Sequence, residues 1–279
     1  MTKLLVIGCA SFDVLHLEQN GEESEHHTVG GAGLYTALAA SRAGADVTLY
    51  APKPEQLTDE FLAVDKLINW IGPTVPVEKM PRLDIVHHGA GRATLNIADW
   101  AAERFLLEEN LPHPIEQFKI IHIAALSSAS RQLAFLEYCR RHGAHKVSVG
   151  TYAKLLYAES ETVSKLFEAA DIFFMNQNEA DTLFGSAEQA RTSTGKLLFV
   201  THGERGATVH VAGWQQFIPG CNATEVDPTG AGDTFCGATL AGLLRGESAV
   251  EAAHSGVTLA ASCIESVGPV ALMAKQSSS

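Results

Sequence analysis

The sequence predicts an α/β fold in which a doubly wound, mostly parallel sheet is flanked by helices. The first observation is a series of short apolar runs, each of the length of a buried strand, spread along the whole chain. The second is that stretches with helical composition lie between several of these runs. Strands that alternate with helices form right-handed βαβ units, and such units build a sheet of this type.

Each predicted element corresponds to one of these segments. The strands are expected at Leu4–Cys9, Asp46–Ala51, Ile120–Ala124, Lys146–Val149, Asp171–Met175 and Leu197–Thr201. The helices are expected at Ala32–Ala43, Arg131–His142, Glu161–Ala170 and Ser186–Thr192, with a further helix inside Val226–Leu244. Ligands of such sheets bind beyond the carboxyl ends of the strands, so we expect the functional site there.

Two segments interrupt the alternation of strands and helices. Residues 14–28 are polar and rich in Glu, and residues 75–99 contain two short runs around a glycine-containing turn, as in a hairpin. Both are expected to leave the main sheet and to form a small β lid. The 279 residues are therefore expected to make one α/β domain, 1–279, that carries this lid.

The composition argues against several classes of protein. The formal net charge is −12, and no basic patch is evident, so a nucleic-acid partner is not expected. The same charge repels anionic membrane surfaces, and no apolar run has the length of a transmembrane helix. Five widely spaced cysteines and the lack of a signal-peptide pattern favour the reducing cytoplasm.

The segment Val226–Leu244 contains the most specific motif. Gly230, Ala231 and Gly232 open its helix, where the first backbone N–H groups have no intrahelical partner and the helix dipole is positive. Such a helix start can hold a phosphoryl group. Asp233 lies in the first turn, where the dipole should keep it ionised and able to accept a proton from an alcohol. A plain glycine-rich turn before a helix is the alternative interpretation.

Two further motifs follow predicted strands. Thr201, Gly203 and Gly206 form a T-x-G-x-x-G pattern, in which the glycines let the backbone approach a nucleotide and the hydroxyl can reach a phosphate. Asn176 and Glu179 form N-x-x-E at a helix start, where an amide and a carboxylate can order water around Mg²⁺. The same two residues also match a helix capping box, which is an equally good explanation.

A third group lies near the first strand. Asp13 follows Leu4–Cys9 and can accept hydrogen bonds from substrate hydroxyl groups. Gly30 and Gly31 precede the helix Ala32–Ala43 and let the backbone approach a substrate. A turn followed by a helix cap explains these three residues without a ligand.

Together these motifs resemble those of the ribokinase-like, or PfkB, family of carbohydrate kinases. The D-P-T-G-A-G-D stretch is similar to the C-terminal signature of that family, and the other motifs follow in the family's order. The resemblance implies an ATP- and Mg²⁺-dependent kinase that phosphorylates a hydroxyl of a sugar, nucleoside or inositol. It implies that Asp233 is the catalytic base, and that Gly230, Ala231 and Gly232 form an anion hole.

The resemblance also assigns the remaining residues. Asn176 and Glu179 would serve the phosphate region and Mg²⁺, which Glu179 would reach through water. Thr201 and Gly203 would line the ATP site, as part of the pattern that ends at Gly206.

On the acceptor side, the resemblance implies that Asp13, Gly30 and Gly31 hold the substrate. Arg92, in the expected lid, could contact it. If the acceptor were already phosphorylated, Arg92 or Arg131 would be candidate clamps, and an ordinary solvated arginine is the alternative for both.

The resemblance makes K⁺ a candidate ion, because Asp227 and Thr229 match the loop that holds a monovalent cation in many members. The chain departs from many sugar kinases of the family at Ala32 and Tyr35, and after the strand Lys146–Val149. The acceptor therefore cannot be assumed to be ribose or fructose. The segment 256–269 and the G-R-A-T of the expected lid resemble the inositol-kinase-like branch.

Two other classes of function remain open at this point. A Rossmann-type NAD-binding oxidoreductase would share the fold class, although the G-x-G-x-x-G fingerprint is missing after the first strand. A non-catalytic nucleotide- or sugar-binding protein of the same fold is the other, since fold alone does not prove activity. Lid strands with exposed edges make a homodimer a candidate assembly.

Overall fold

The computed structural model describes residues 3–19, 22–89 and 93–274. These residues form a nine-stranded sheet, a four-stranded sheet and a two-stranded sheet. The strands in chain order are β1 (Lys3–Ile7), β2 (Ser11–Gln19), β3 (Glu22–Gly30), β4 (Asp46–Tyr50), β5 (Lys53–Pro54), β6 (Asn69–Ile71), β7 (Thr74–Val75), β8 (Arg82–His87), β9 (Ala93–Asp99), β10 (Phe118–Ile123), β11 (Val147–Gly150), β12 (Ile172–Asn176), β13 (Leu197–Thr201), β14 (Gly206–Val211) and β15 (Trp214–Pro219).

The helices lie mainly between strands of the nine-stranded sheet. In chain order they are α1 (Ala32–Arg42), α2 (Asp59–Asp65), α3 (Ala129–Arg141), α4 (Ala153–Ala158), α5 (Ser160–Ala169), α6 (Gln177–Phe184), α7 (Ala231–Arg245), α8 (Ala249–Cys263) and α9 (Val270–Met273). Within the described ranges, no helix is both long enough and apolar enough to cross a membrane.

The nine-stranded sheet has the order β15-β14-β13-β12-β11-β10-β1-β4-β6. Seven neighbouring strands, from β13 to β6, run parallel, while β14 and β15 are added antiparallel at one edge. The predicted α/β class with a mostly parallel sheet is therefore confirmed. The hairpin β14–β15 was not among the predicted strands.

Both faces of this sheet are buried, which explains why its strands are continuous apolar runs. Leu4 and Val6 of β1 belong to the core beneath α1, α7 and α8, whereas Leu5 and Ile7 belong to the core beneath α3, α5 and α6. Because successive side chains of a strand point to opposite faces, one apolar strand supplies both cores.

The small sheet has the order β3-β2-β8-β9. The strands β2 and β3 form an antiparallel hairpin, β8 pairs with β2 in parallel, and β9 closes the sheet antiparallel to β8. Its first hairpin is longer than the expected excursion at 14–28, because Ser11 already pairs with Gly30. In the second excursion, the strands occupy 82–87 and 93–99, and residues 75–81 belong to other elements.

One predicted helix is wrong. The segment Ser186–Thr192 contains only a 3₁₀ turn at Ala187–Gln189, and the helix of this region is α6, which ends at Gly185. Gly185 adopts a φ of +82°, a left-handed conformation typical of a glycine that ends a helix. The carboxylate of Asp181 then accepts a hydrogen bond from the backbone N–H of Ala187 and fixes the turn.

Candidate active site

The start of α7 is built around a glycine that no other residue could replace without strain. Gly230 has a φ of +73°, and a β-carbon there would lie 2.3 Å from Cδ1 of Tyr35. The turn is closed by a hydrogen bond of 3.2 Å from the N–H of Ala231 to the carbonyl oxygen of Pro228. Of the three residues expected to form the anion hole, Ala231 thus already donates its backbone N–H within the protein. Helix geometry leaves the N–H groups of Gly232 and Asp233 directed outward from the first turn.

Asp233 lies in this first turn and is half-buried. Removal from solvent raises its pKa to about 7, although the dipole at a helix N-terminus acts in the opposite direction. This differs from the expectation that the dipole keeps the carboxyl group ionised. A carboxyl group with a pKa near neutrality is well suited to accept a proton from an alcohol.

Asp233 lines a cavity of about 410 Å³ between the small sheet and the carboxyl ends of the main strands. Its polar lining residues include Ser11, Asp13, His87, Thr229 and Asp233. Its apolar and aromatic lining residues include Leu83, Ile85, Leu95, Trp100 and Tyr152. Among the described residues that line it, none is Lys or Arg. The described lining therefore combines hydrogen-bonding groups with apolar and aromatic surface.

Asp13 is buried and is one of the polar lining residues of this cavity. Its Oδ1 accepts a hydrogen bond of 2.6 Å from the hydroxyl of Ser11, while Oδ2 is buried without a partner among the described residues. Burial, followed by the charge of Asp227, raises the pKa of Asp13 to about 7. The unpartnered oxygen is available to a ligand hydroxyl group.

The packing around the two residues before α1 explains why each of them is a glycine. A β-carbon on Gly30 would lie 1.9 Å from Oδ2 of Asp13, so Gly30 makes room for that carboxyl group. Gly31 has a φ of +98°, and a β-carbon there would lie 2.6 Å from the carbonyl oxygen of Cys9. Only Gly31 of the two lines the cavity.

Asp227 holds together the loop of residues 227–230, here called the cradle loop. Its Oδ1 accepts a hydrogen bond of 2.9 Å from the N–H of Thr229, and its Oδ2 accepts one of 2.8 Å from the N–H of Gly268. Nε2 of His87, at the end of β8, lies 3.4 Å from Asp227 Oδ1. Both carboxylate oxygens of this expected K⁺ ligand are therefore already engaged by donors from the protein.

Asn176 and Glu179 form the capping box at the start of α6. The carboxylate of Glu179 accepts hydrogen bonds of 2.9 Å from the N–H and 2.7 Å from the side-chain amide of Asn176. Burial, opposed by these bonds, raises the pKa of Glu179 to about 8. The described residues contain no cluster of three or more His, Cys, Asp or Glu that could hold a metal. Because both oxygens of Glu179 already accept hydrogen bonds from Asn176, a bound Mg²⁺ would be held mainly by phosphate oxygens and water.

The residues expected at the nucleotide lie beside Asn176. Thr201 is the direct partner of Asn176 in the pairing of β12 with β13, so both end at the same edge of the sheet. Gly203 is exposed, has a φ of +61° and has open space where a β-carbon would be. Gly206 has a different role, because a β-carbon there would lie 2.0 Å from the carbonyl oxygen of Ile218. Gly206 permits the pairing of β14 with β15.

The two arginines considered as clamps have different outcomes. Arg92 lies outside the described residues. Arg131 is not an ordinary solvated arginine, because its Nε donates a hydrogen bond of 3.0 Å to Oε1 of the buried Glu103. Its Nη2 donates to the carbonyl oxygens of Glu103 and Leu106, at 2.9 and 3.0 Å. Arg131 thus fixes the 3₁₀ turn Ala101–Phe105 and does not line the cavity.

Sequence reasoning missed the contact that joins the small sheet to the cradle loop. His87 Nε2 lies 2.8 Å from the hydroxyl of Thr229, although the two residues are 142 positions apart. In the sequence His87 and His88 stand out only as an adjacent pair, which does not indicate this contact. The apolar and aromatic lining of the cavity, with Trp100 and Tyr152, was also missed, because its residues come from separate segments.

Comparison with known proteins places these features in a family. A family model described as pfkB family carbohydrate kinase matches residues 76–276. A cytidine kinase of Thermococcus kodakarensis is 26% identical over 280 residues, which cover 96% of this chain and 98% of the relative. An inositol 3-kinase of Arabidopsis thaliana is 32% identical over 97 residues, which cover 35% of this chain and 27% of the relative.

Solved structures show the same fold. A probable sugar kinase from Rhizobium etli superimposes with a TM-score of 0.79 at 18% identity, covering 96% of this chain and 95% of that one. A nucleoside kinase of Burkholderia thailandensis in complex with inosine gives a TM-score of 0.77 at 18% identity, covering 95% and 92%. At this level of identity, the likeness establishes the fold.

Proposed function

Because the chain belongs to the pfkB family of carbohydrate kinases, we propose that it transfers the γ-phosphoryl group of ATP to a hydroxyl group of a neutral, nucleoside-like acceptor. As a member of this family it is a phosphotransferase, so the alternatives of an NAD-binding oxidoreductase and of a non-catalytic binding protein are not supported. The observation that carries the proposal is the position of Asp233, which lines the ligand cavity in the first turn of α7.

Different residues of this chain would take part in different parts of the reaction. The ionised Asp233 accepts the proton of the acceptor hydroxyl while the acceptor oxygen forms its bond to phosphorus. The bond between the γ-phosphorus and the β,γ-bridging oxygen breaks, and ADP leaves. The outward N–H groups of Gly232 and Asp233 bind the oxygens of the transferring group, whose charge they stabilise. Removal of water from the cavity strengthens these interactions.

Bound Mg²⁺ would supply charge neutralisation at the β- and γ-phosphates. Asn176 and Glu179 are the residues of this chain that would orient its water ligands, because Asn176 lines the cavity and the carboxylate of Glu179 holds its side-chain amide. Thr201 and Gly203 lie at the neighbouring strand end, so the nucleotide would extend from the start of α7 toward β13 and β14. The open backbone at Gly203 leaves space for that approach.

Three features of the cavity favour a nucleoside over a sugar acid or a sugar phosphate. The described lining residues include no cation to bind an anionic group. Asp13 offers an unpartnered carboxylate oxygen to hydroxyl groups, as a ribose would provide. The aromatic lining residues Trp100 and Tyr152 could contact the face of a base. The similarity to a cytidine kinase over nearly the whole chain supports the same choice.

The small sheet is the proposed lid of this site. Residues of its strands β2, β8 and β9 line the cavity together with Gly230 and Asp233 at the start of α7. Its outermost strand β9 has a free edge and exposes Ile97, which is 59% accessible. We expect this edge to form the contact of a homodimer, which molecular-mass measurement in solution would detect.

The test is a screen for acceptor-dependent ADP release with Mg²⁺-ATP. The acceptors are cytidine and other nucleosides, pentoses, hexoses, inositols, sugar acids and sugar phosphates, with the Asp233→Asn variant as the control for contaminating kinases. We expect release with nucleosides, and none above the control with anionic acceptors. Activity with sugar phosphates alone would contradict the proposed acceptor. No activity with any acceptor would contradict the proposed function.

A further inference from the structure

His87 has an unusual position for a residue of the small sheet. It is the last residue of β8, only 8% of its surface is accessible, and it lines the cavity. Its Nε2 lies 2.8 Å from the hydroxyl of Thr229 and 3.4 Å from Oδ1 of Asp227. The imidazole therefore connects the small sheet to the cradle loop, one residue before Gly230.

The neighbours of His87 determine which nitrogen carries the hydrogen. An ionised carboxylate can only accept hydrogen bonds, so Asp227 favours the form in which Nε2 carries the proton. In that form Nε2 donates to the Thr229 hydroxyl, with Asp227 close to the same N–H. The other nitrogen, Nδ1, is then an acceptor. Nδ1 is buried and has no hydrogen-bond partner among the described residues.

A buried acceptor without a donor is unfavourable, and buried polar groups in folded proteins are generally paired. His87 lines the cavity that also contains Asp13 and Asp233, and it borders a second cavity beside β3 as well. Both of those residues are acceptors when ionised, so neither can supply the missing donor in that state. A hydroxyl or N–H group of a bound ligand can supply it.

We propose that His87 is a positioning residue that accepts, at Nδ1, a hydrogen bond from a non-reacting hydroxyl or N–H group of the acceptor. This inference rests on the proposed kinase function and adds a contact to it. The same ring would then join the bound acceptor to Thr229, because a hydrogen bond received at Nδ1 strengthens the bond donated at Nε2. Acceptor binding would thus be coupled to the position of the cradle loop and of Gly230.

Two substitutions distinguish the contribution of Nε2 from that of Nδ1. In His87→Gln the terminal amide can take the place of Nε2 and keep the bond to Thr229, while the acceptor atom at the Nδ1 position is lost. In His87→Asn the shorter amide can take the place of Nδ1, and the bond to Thr229 is lost. The two variants are therefore matched controls for each other, and thermal unfolding of both verifies that each is folded.

The experiment measures steady-state kinetics with the nucleoside of highest turnover in the acceptor screen. For His87→Gln we expect the KM for the nucleoside to rise about 10-fold, with kcat within about 3-fold of wild type and the KM for ATP unchanged. For His87→Asn we expect kcat to fall while the KM for the nucleoside stays within about 3-fold. A purely structural role of His87 would affect both variants in the same way.

A second measurement identifies the contact on the ligand. The 2′-deoxy and 3′-deoxy analogues of the nucleoside, and an analogue methylated at the donor nitrogen of the base, are compared in wild type and His87→Gln. The analogue that lacks the contacting donor should lose affinity in wild type and should lose almost nothing further in the variant. A nucleoside KM of His87→Gln equal to that of wild type would overturn the inference. If wild type itself turned over no nucleoside, the proposed function would fail first.

Discussion

Tyr35 packs against Gly230 so closely that residue 230 has no room for a side chain. A β-carbon there would lie 2.3 Å from Cδ1 of Tyr35, and the backbone has a φ of +73°. A residue of α1 thereby fixes the turn from which α7 begins. Glycine is needed at residue 230 for conformation and for space, in addition to any approach of phosphate.

The first prediction compares two glycines of the same motif. Gly230→Ala should lower the free energy of unfolding by about 2–4 kcal/mol, because it adds backbone strain and a clash with Tyr35. Gly232→Ala is the control, since Gly232 has open space at its β-carbon and its φ is not positive. It should keep wild-type stability within about 1 kcal/mol while turnover falls, because the methyl group hinders the phosphoryl group. Urea unfolding measures both variants, and equal stability of the two would contradict the role of Tyr35.

The second prediction concerns the buried carboxyl group of Asp13. Its pKa is about 7 in the folded protein, against 3.8 as the ordinary value, so the folded state binds the proton more tightly than the unfolded state. The free energy of unfolding therefore falls as the pH rises from about 4 to 7. Asp13→Asn removes this loss. The free energy of unfolding of the variant minus that of wild type should therefore be larger at pH 8 than at pH 4, by up to about 4 kcal/mol. This figure takes about 1.4 kcal/mol for each unit of pKa.

Denaturant unfolding at both pH values measures this gain. Asp46→Asn, at an exposed position of β4, is the control for a general effect of removing negative charge. A difference between Asp13→Asn and wild type that does not change with pH would show that Asp13 titrates normally.

The third prediction separates a structural role of Arg131 from a role in binding. Arg131→Ala leaves the buried carboxylate of Glu103 without its cation and should destabilise the fold by about 3–5 kcal/mol. The hydroxyl and N–H of Ser127 also donate hydrogen bonds to Glu103 and would offset part of this loss of stability. The double variant Arg131→Met with Glu103→Leu should recover much of the stability. A stable Arg131→Ala protein with a raised acceptor KM would instead indicate a clamp.

The elements that could be predicted from the sequence are those encoded by short, continuous segments of the chain. The parallel strands are apolar on both faces, and the glycine-rich start of α7 is contained in a few consecutive residues, so both could be recognised. The strand β15 was not predicted because its residues are mostly exposed and do not form an apolar run, with Trp214 and Phe217 accessible to solvent. Asn176 and Glu179 matched two interpretations in the sequence, and in the structure they form the capping box of α6.

The remaining features depend on distant parts of the chain meeting in space. The contact of His87 with Thr229 exists only because the small sheet covers the cradle loop. The raised pKa of Asp13 depends on its burial and on Asp227, which follows more than 200 residues later. No short motif encodes these relationships, so the sequence could propose candidate site residues but could not predict their environments.

The fourth prediction concerns monovalent cations. The resemblance makes K⁺ a candidate ion at Asp227 and Thr229, but both carboxylate oxygens of Asp227 accept hydrogen bonds from the backbone. We therefore expect kcat to change by less than about 3-fold when K⁺ is replaced by Na⁺ or choline at constant ionic strength. A larger activation by K⁺ than by choline would show that the ion binds through other oxygens of this loop.

The central claim is that Asp233 is the base of the transfer reaction. Asp233→Asn keeps the shape of the side chain and the N–H groups of α7 but removes the proton acceptor. Asp46→Asn serves as the control for charge. The affinity for ADP, measured by calorimetry, should stay within about 3-fold of wild type, because the backbone donors are unchanged.

The most direct test is the kcat of Asp233→Asn with the best acceptor of the screen. We expect it to fall by about 10²–10⁴-fold, which is the contribution of a well-placed general base. A variant that binds ADP normally and retains near wild-type kcat would show that Asp233 does not take the proton from the acceptor.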